Sequence, residues 1–380
     1  MKKKILIVTE RRADYSKFRP ILKEIQKSKK LDYYLVVTGS HLFKEYGLTI
    51  NEIKKDGFKI SKKFSMYQNI KDDSGAKMTL ALSKAIFHLT KIVQETKPDI
   101  ILAGFDIGAN LAASIVGAHM NILVAHLEGG EISGTIDESI RHAITKFSHI
   151  HFVTHIEAKR RLIRMGENPK FIHNIGNPSL DSIKIFKKID PIKLEEEFSI
   201  DLSKPFFLIL QHTVTSEVNK IEQYYEKTID AIKELDIQSV FINGNADAGS
   251  KKINNLIKKS KIKQYDSLAF DKFINLLSLS TALVGNSSSG IMEAPFLKTP
   301  SINIGTRQTG RLHADSVIDV GYSKREIKNA LKRTLYDKTF QKNLRKTKSL
   351  YGNGTASKKI VRILENLNLE KIPIQKRQFE

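Results

Sequence analysis

Residues 106–142, DIGANLAASIVGAHMNILVAHLEGGEISGTIDESIRH, gather the side chains best suited to proton chemistry. Asp106 follows a short apolar run, IILAGF, at 100–105. Glu128 follows a second run, ILVAHL, at 122–127, and Gly129, Gly130 and Glu131 come next. Asp137 and Glu138 fall at the start of a helix expected to reach about Ser148, where negative charge suits the dipole. Acids after strands are also ordinary helix caps, so each residue alone has a purely structural explanation. The EGGE turn, with His126, Arg141 and His142 in the same short region, favours a site. In open α/β sheets, ligands bind outside the carboxyl ends of strands, and Asp106, Glu128 and Asp137 all arrive at such a rim.

Elements must place these groups. Strands are expected at 4–9, 35–38, 100–105, 122–127, 150–153 and 171–175, with helices at 73–97, 108–120 and from Asp137. Alternation resumes with strands at 206–210, 239–243, 282–285 and 301–304. Helices are expected at 219–235, 251–259, 271–277, 324–333 and 357–367. Repeated strand–helix alternation specifies an α/β protein with parallel, doubly wound sheets. The charged passage 184–205 separates two similar halves facing a cleft. The expected domains are 1–185, carrying the carboxylates, 186–360, and a terminal helix and basic tail, 361–380, packing back on the first.

The second half holds an anion nest. A strand runs into Gly285-Asn286-Ser287-Ser288-Ser289-Gly290 and then a helix, combining backbone amides, hydroxyls and a positive helix end. Glu293, one turn in, suits a ribose diol, and Arg307 and Arg311 add cations. The sequence carries neither GxxxxGK[ST] nor a GxGxxG after its first strand, which argues against an ATPase or a dehydrogenase. Arg11, Arg12 and Ser16 open the first helix and suit a phosphate, with Asp14 as a possible cap. His212 ends its strand; Asn245 and Asp247 lie in a turn-like GNADAGS.

Composition restricts the alternatives. The 380 residues are 41% hydrophobic and 27% charged, without cysteine. That fits a globular chain, excludes disulfides and thiolate sites, and is compatible with a cytoplasmic enzyme. The opening MKKKILIVTERR has too short an apolar run for a signal peptide, and no run reaches membrane-span length. A formal net charge of +22 raises nucleic-acid binding, but the cations are spread along amphipathic helices without a basic arm or aromatic platform, so no nucleic-acid partner is expected. His149, His151 and His155 lack a CxxC or HExxH framework, and no metal or other cofactor is expected.

The stretches RRADYS (11–16), GSH (39–41), HLEGGEISGTIDESIRHAITK (126–146), NADAGS (245–250), GNSSSGIMEAP (285–295) and INIGTRQTGR (302–311) resemble the hydrolysing UDP-N-acetylglucosamine 2-epimerases of sialic acid-type biosynthesis. The resemblance spans nearly the whole chain. It implies two Rossmann-like domains of glycosyltransferase-B type, water as co-substrate, and a homodimer or dimer of dimers. It places Asp106, Glu128 and Asp137 as catalytic carboxylates and Arg141 at a sugar or phosphate. Arg12, Ser16, Ser287, Ser288, Glu293 and Arg307 would hold the nucleotide, with Glu293 on the ribose and the serines on phosphates. His41, His212 and Asn245 would line the substrate site.

The family's usual GDRF or GDRY followed by an acid is here Phe105-Asp106-Ile107-Gly108-Ala109, and its usual HP is His212-Thr213. Loss of the arginine and the second acid predicts a roomier, more apolar wall beside Asp106. The alternative substrate is therefore UDP- or GDP-linked N,N'-diacetylbacillosamine, of the legionaminic acid pathway. A sugar-nucleotide-binding, glycosyltransferase-like protein is the rival from another class.

Overall fold

The computed structural model describes residues 2–67, 75–243, 250–265 and 268–380. The chain forms two compact units. Unit 1 comprises Met1–Glu131, Ile136–Lys184 and Tyr351–Glu380, and unit 2 comprises Ile132–Thr135 and Ile185–Leu350.

In unit 1 the elements run β1 (Lys3–Thr9), α1 (Arg12–Lys27), β2 (Leu31–Val37), α2 (Ile50–Lys55), β3 (Ile60–Lys63), α3 (Gly75–Thr96), β4 (Ile100–Gly104), α4 (Gly108–His119), β5 (Leu123–Leu127), α5 (Ile136–Phe147), β6 (Ile150–Val153), α6 (Ile156–Arg164), β7 (Ile172–Asn174) and α7 (Ser179–Lys184). The seven strands are parallel in the order β3-β2-β1-β4-β5-β6-β7. Both faces are covered, as a parallel sheet requires. Strand alternation divides the core: Ile5 and Ile7 join Phe18, Ile21 and Leu22 of α1, while Leu6 and Val8 join Ala85 and Leu89 of α3 and Ala112 and Val116 of α4.

Unit 2 runs α8 (Pro191–Phe198), β8 (Phe206–Leu210), α9 (Ile221–Lys233), β9 (Gln238–Ile242), α10 (Ser250–Ser260), β10 (Lys263–Tyr265), α11 (Phe270–Leu279), β11 (Ala282–Gly285), α12 (Ser289–Leu297), β12 (Ser301–Ile304), β13 (Val317–Val320), α13 (Lys324–Tyr336) and α14 (Lys338–Leu344). Its parallel sheet is ordered β10-β9-β8-β11-β12-β13. Phe207, Ile209, Phe241 and Val284 pack with Ile232 of α9 and Leu331 of α13.

The last helix, α15 (Ala356–Asn366), is built into unit 1 at both ends. Asp181 accepts the N–H groups of Ala356 and Ser357 at 3.0 and 2.7 Å, and Lys3 donates to the carbonyls of Leu364, Glu365 and Leu367. An acid at the first turn and a cation at the last satisfy groups the helix cannot pair internally. The strands β3, β10 and β13 (ISKK, KQY and VIDV) lay outside the sequence expectation. They are three- or four-residue edge strands, too short to show a period.

Candidate active site

Both sheets reverse strand order, at β1/β4 in unit 1 and β8/β11 in unit 2, and such switch points open crevices at the strands' carboxyl ends. The two crevices are filled differently.

In unit 1 the crevice is occupied by protein carboxylates. Asp14, 1% exposed, accepts the N–H groups of Glu10 and Arg11 at 2.8 and 3.1 Å and the hydroxyl of Thr9 at 2.8 Å. Glu10, 2% exposed, accepts the N–H of Ala109 in the first turn of α4 at 2.9 Å and the Tyr67 hydroxyl at 2.9 Å. Gly39 (φ +62°) passes over Glu10 so closely that a Cβ there would lie 2.3 Å from its Cγ. The helix ends that would otherwise attract an anion thus carry acids of their own. Arg12 opens α1 within electrostatic reach of Glu52, and the Ser16 hydroxyl donates to Ala13 O at 2.8 Å.

Asp106 and Glu128 stand beyond neighbouring strands, paired in register up to Gly104 and Leu127. The residues Phe105 and Glu128, just past those ends, adopt left-handed φ of +69° and +61°. A non-glycine residue held there costs energy that surrounding packing must offset, and such strain concentrates at functional positions. Glu128 is 2% exposed, and its carboxylate is 2.8 Å from the Lys17 ammonium, itself 4.4 Å from the Phe105 ring centroid. Asp106 is paired with Arg141, whose other terminal nitrogen donates to Glu131 O at 3.1 Å. Arg141 is fully buried, so its charge is compensated inside the protein. Asp137 and Glu138 lie in the first turn of α5.

His126 is a brace rather than a ligand. It is 0% exposed, with Nδ1 3.1 Å from the Thr145 hydroxyl and Nε2 3.4 Å from Phe105 O, and burial pushes its pKa well down. His41 is likewise enclosed. Its nitrogens lie 2.9 Å and 2.6 Å from the Thr9 and Thr49 hydroxyls, so it supports the loop over Glu10 with no ring nitrogen left for a substrate.

In unit 2 the turn at the crevice is built from amide, hydroxyl and cationic groups, with one acid a turn further in. Asn286 accepts the N–H of His212 at 2.6 Å and donates to its carbonyl at 2.9 Å, fixing the end of β8 beside that of β11. Gly285 (φ +135°) permits this, since a Cβ would meet Leu210 O at 2.3 Å. Ser287 and Ser288 then lead into α12, and Glu293 follows, 7% exposed. Arg307 and Gln308 both donate to Asn286 O, at 3.1 and 2.9 Å, which carries the cationic loop to the serine turn. Hydroxyls and a guanidinium at a helix N-terminus suit a phosphate. Asn245 lies outside the described residues.

The expected apolar wall beside Asp106 is corrected. Ile107 is 4% exposed and packs into the core with Phe105, and Ala109 is 0% exposed, so neither side chain leaves room. The position is backed instead by the carboxylate of Glu10, delivered from β1. Sequence reading also passed over Glu10, Lys17 and the partners of Glu131, because each acts through a contact distant in the chain. Among the described residues, no group of three or more histidines, cysteines or acids is arranged to hold a metal ion, and no helix is long and apolar enough to cross a membrane.

Residues 23–365 match the family model described as UDP-N-acetylglucosamine 2-epimerase. The UDP-N,N'-diacetylbacillosamine 2-epimerase (hydrolyzing) of Legionella pneumophila is 35% identical over 373 residues, 97% of each chain. The UDP-N-acetylglucosamine 2-epimerase of Neisseria meningitidis serogroup B is 35% identical over 332 residues, 87% of this chain and 86% of the relative. A crystal structure of UDP-GlcNAc 2-epimerase from Neisseria meningitidis bound to UDP-GlcNAc superposes with a TM-score of 0.80 at 21% identity, covering 95% of this chain and 99% of that one. With a family model over most of its length and relatives above 30% identity, the chain belongs to the UDP-N-acetylglucosamine 2-epimerase family.

Proposed function

We propose that the protein is a hydrolysing sugar-nucleotide 2-epimerase that converts UDP-N-acetylglucosamine and water to N-acetylmannosamine and UDP. Unit 2 supplies the nucleotide contacts: Ser287, Ser288 and Arg307 for the diphosphate and Glu293 for the ribose. His212 and Asn245 belong to the same set. The reaction serves sialic acid-type synthesis in the cytoplasm, and the enzyme works as a homodimer or dimer of dimers.

One observation carries the reading: Asp106, Glu128 and Asp137 come from neighbouring strand ends and a helix head in unit 1, each in a different electrostatic setting. Glu128 is paired with a lysine, Asp106 with an arginine, and Asp137 lies at a positive helix end. The chemistry needs such differences. A base takes the proton from C2 as the C1–O bond to UDP breaks, giving a 2-acetamidoglycal. Water then adds its oxygen at C1, and an acid returns a proton to C2 on the opposite face. Carboxylates in unlike environments can divide these roles. A retaining glycosyltransferase needs no proton transfer at C2.

Turnover in heavy water tests this. Deuterium at C2 of the released sugar is expected, and product formed without it sinks the elimination route. The second reading, the same chemistry on UDP-N,N'-diacetylbacillosamine, is favoured by the Legionella relative, which matches at the same identity over more of the chain.

A further inference from the structure

The EGGE turn holds a second acid, Glu131, for which the proposed chemistry has no role. It is 1% exposed and belongs to a clamp. Its carboxylate accepts the Thr154 hydroxyl and lies 2.9 Å from His155 Nε2. The tautomer follows from geometry: His155 Nδ1 accepts the Ala158 N–H at 3.1 Å, which leaves the ring proton on Nε2, facing Glu131. Arg161 donates to Gly130 O, holding the preceding residue of the same turn against α6.

Glu131 is also the last residue before the chain passes to Ile132–Thr135, which belong to unit 2. Its own carbonyl accepts Arg141, and Arg141 holds Asp106. A flexible turn at that point would leave the Arg141 guanidinium without one of its two anchors, and Asp106 with it.

We propose that Glu131, locked by Thr154 and His155, is a positioning residue that sets Arg141 and, through it, the catalytic Asp106. The inference rests on the epimerase reading for Asp106, and the contacts themselves stand independently of it. Glu131 does not exchange a proton with substrate. Its side chain fixes the main-chain carbonyl that orients the arginine, and a displacement on the order of 1 Å at a reacting group costs about 10²-fold.

The test compares Glu131→Gln, His155→Phe, Arg141→Lys and the double variant Glu131→Gln with Arg141→Lys. Glu131→Gln keeps the side-chain volume but replaces the charged acceptor shared by Thr154 and His155 with a neutral amide, so the packing is retained while the clamp is weakened. The expected result is a fall in kcat on the order of 10²-fold, with KM and UDP affinity within about twofold of wild type. The double variant should be no slower than Arg141→Lys alone, because both act through one contact. Near-normal turnover in Glu131→Gln, or losses that multiply in the double variant, overturns the proposal. Equal loss of turnover and UDP binding in Glu131→Gln also overturns it, by showing a general disturbance. Wild-type turnover without deuterium at C2 instead refutes the epimerase reading, whatever the variants do.

Discussion

Glu10 accepts the main-chain N–H of Ala109 at 2.9 Å, so a strand-end acid from β1 caps a helix that begins nearly a hundred residues later. The same carboxylate takes the Tyr67 hydroxyl at 2.9 Å. Position 109 is an alanine, and Glu10 supplies negative charge at the head of α4. Glu10→Ala is expected to lower stability by about 0.5–2 kcal/mol, the usual effect of losing a cap. UDP affinity should stay within twofold, since the phosphate contacts proposed above lie in unit 2. Denaturant unfolding with calorimetric titration of UDP checks both. An unchanged unfolding midpoint would show that the bond contributes nothing.

Glu128→Gln and Asp137→Asn are expected to reduce turnover by about 10²–10⁴-fold each, the common worth of a proton-transferring group. UDP binding should persist in both. Glu128→Gln also leaves Lys17 facing a neutral amide, so its thermal midpoint must be measured beside activity. A variant that keeps near-normal turnover returns its acid to a capping role.

The strand ends that carry Asp106 and Glu128 were legible because β4 and β5 are continuous apolar runs, IILAG and LVAHL, buried throughout. The serine turn before α12 was legible because glycine, serine and a following helix occur together in the chain. The histidines were not. His41 and His126 occupy motif positions that invite a ligand role, yet both are sealed among hydroxyls, and only the fold brings Thr9, Thr49 and Thr145 to them. Glu10 was missed for the same reason, since its partners Tyr67 and Ala109 lie 57 and 99 residues away.

Ser287→Ala and Glu293→Ala should each weaken UDP binding. A hydrogen bond to a charged group is typically worth about 1.5–3 kcal/mol. In titrations this corresponds to at least a tenfold rise in Kd, with little change in kcat at saturating substrate for Ser287→Ala. Unchanged affinity in both variants would remove the α12 turn from the nucleotide site.

Stability should fall on acidification. Burial lowers the pKa of His126, His149 and His151, and all three are under 10% exposed. Each remains neutral in the fold at pH values where the unfolded chain, titrating near 6.5, already binds a proton. The unfolded state therefore gains protons first, and stability present above about pH 6.5 is lost below it, at up to about 1.4 kcal/mol per pH unit per histidine. Burial alone would raise Glu167, but His151 and the Lys376 ammonium 2.5 Å away hold it at about 2. Its contribution is lost only below about pH 4.5, in the same direction. His149→Gln, which can still donate to Ile374 O, should flatten the pH slope of the unfolding midpoint by about one proton. A midpoint independent of pH between 7.5 and 5.5 would contradict this account.

Substrate choice is the last prediction. A bacillosamine derivative carries a second acetamido group at C4 and lacks the 6-hydroxyl, so it asks for more room and less polarity. The wall beside Asp106 offers neither, because Ile107 and Ala109 are sealed into the core and Glu10 stands behind them with Tyr67. Discrimination on size is bounded, at roughly 1–3 kcal/mol per methylene, so the larger sugar is expected to react more slowly rather than not at all. UDP-N-acetylglucosamine is expected to have the higher kcat/KM. The measurement compares kcat/KM for both sugars, each as its UDP and GDP form, with the same enzyme. A preference of about 100-fold for the bacillosamine derivative, near 2.7 kcal/mol in transition-state binding, would reverse the assignment and place the 4-acetamido group against another wall.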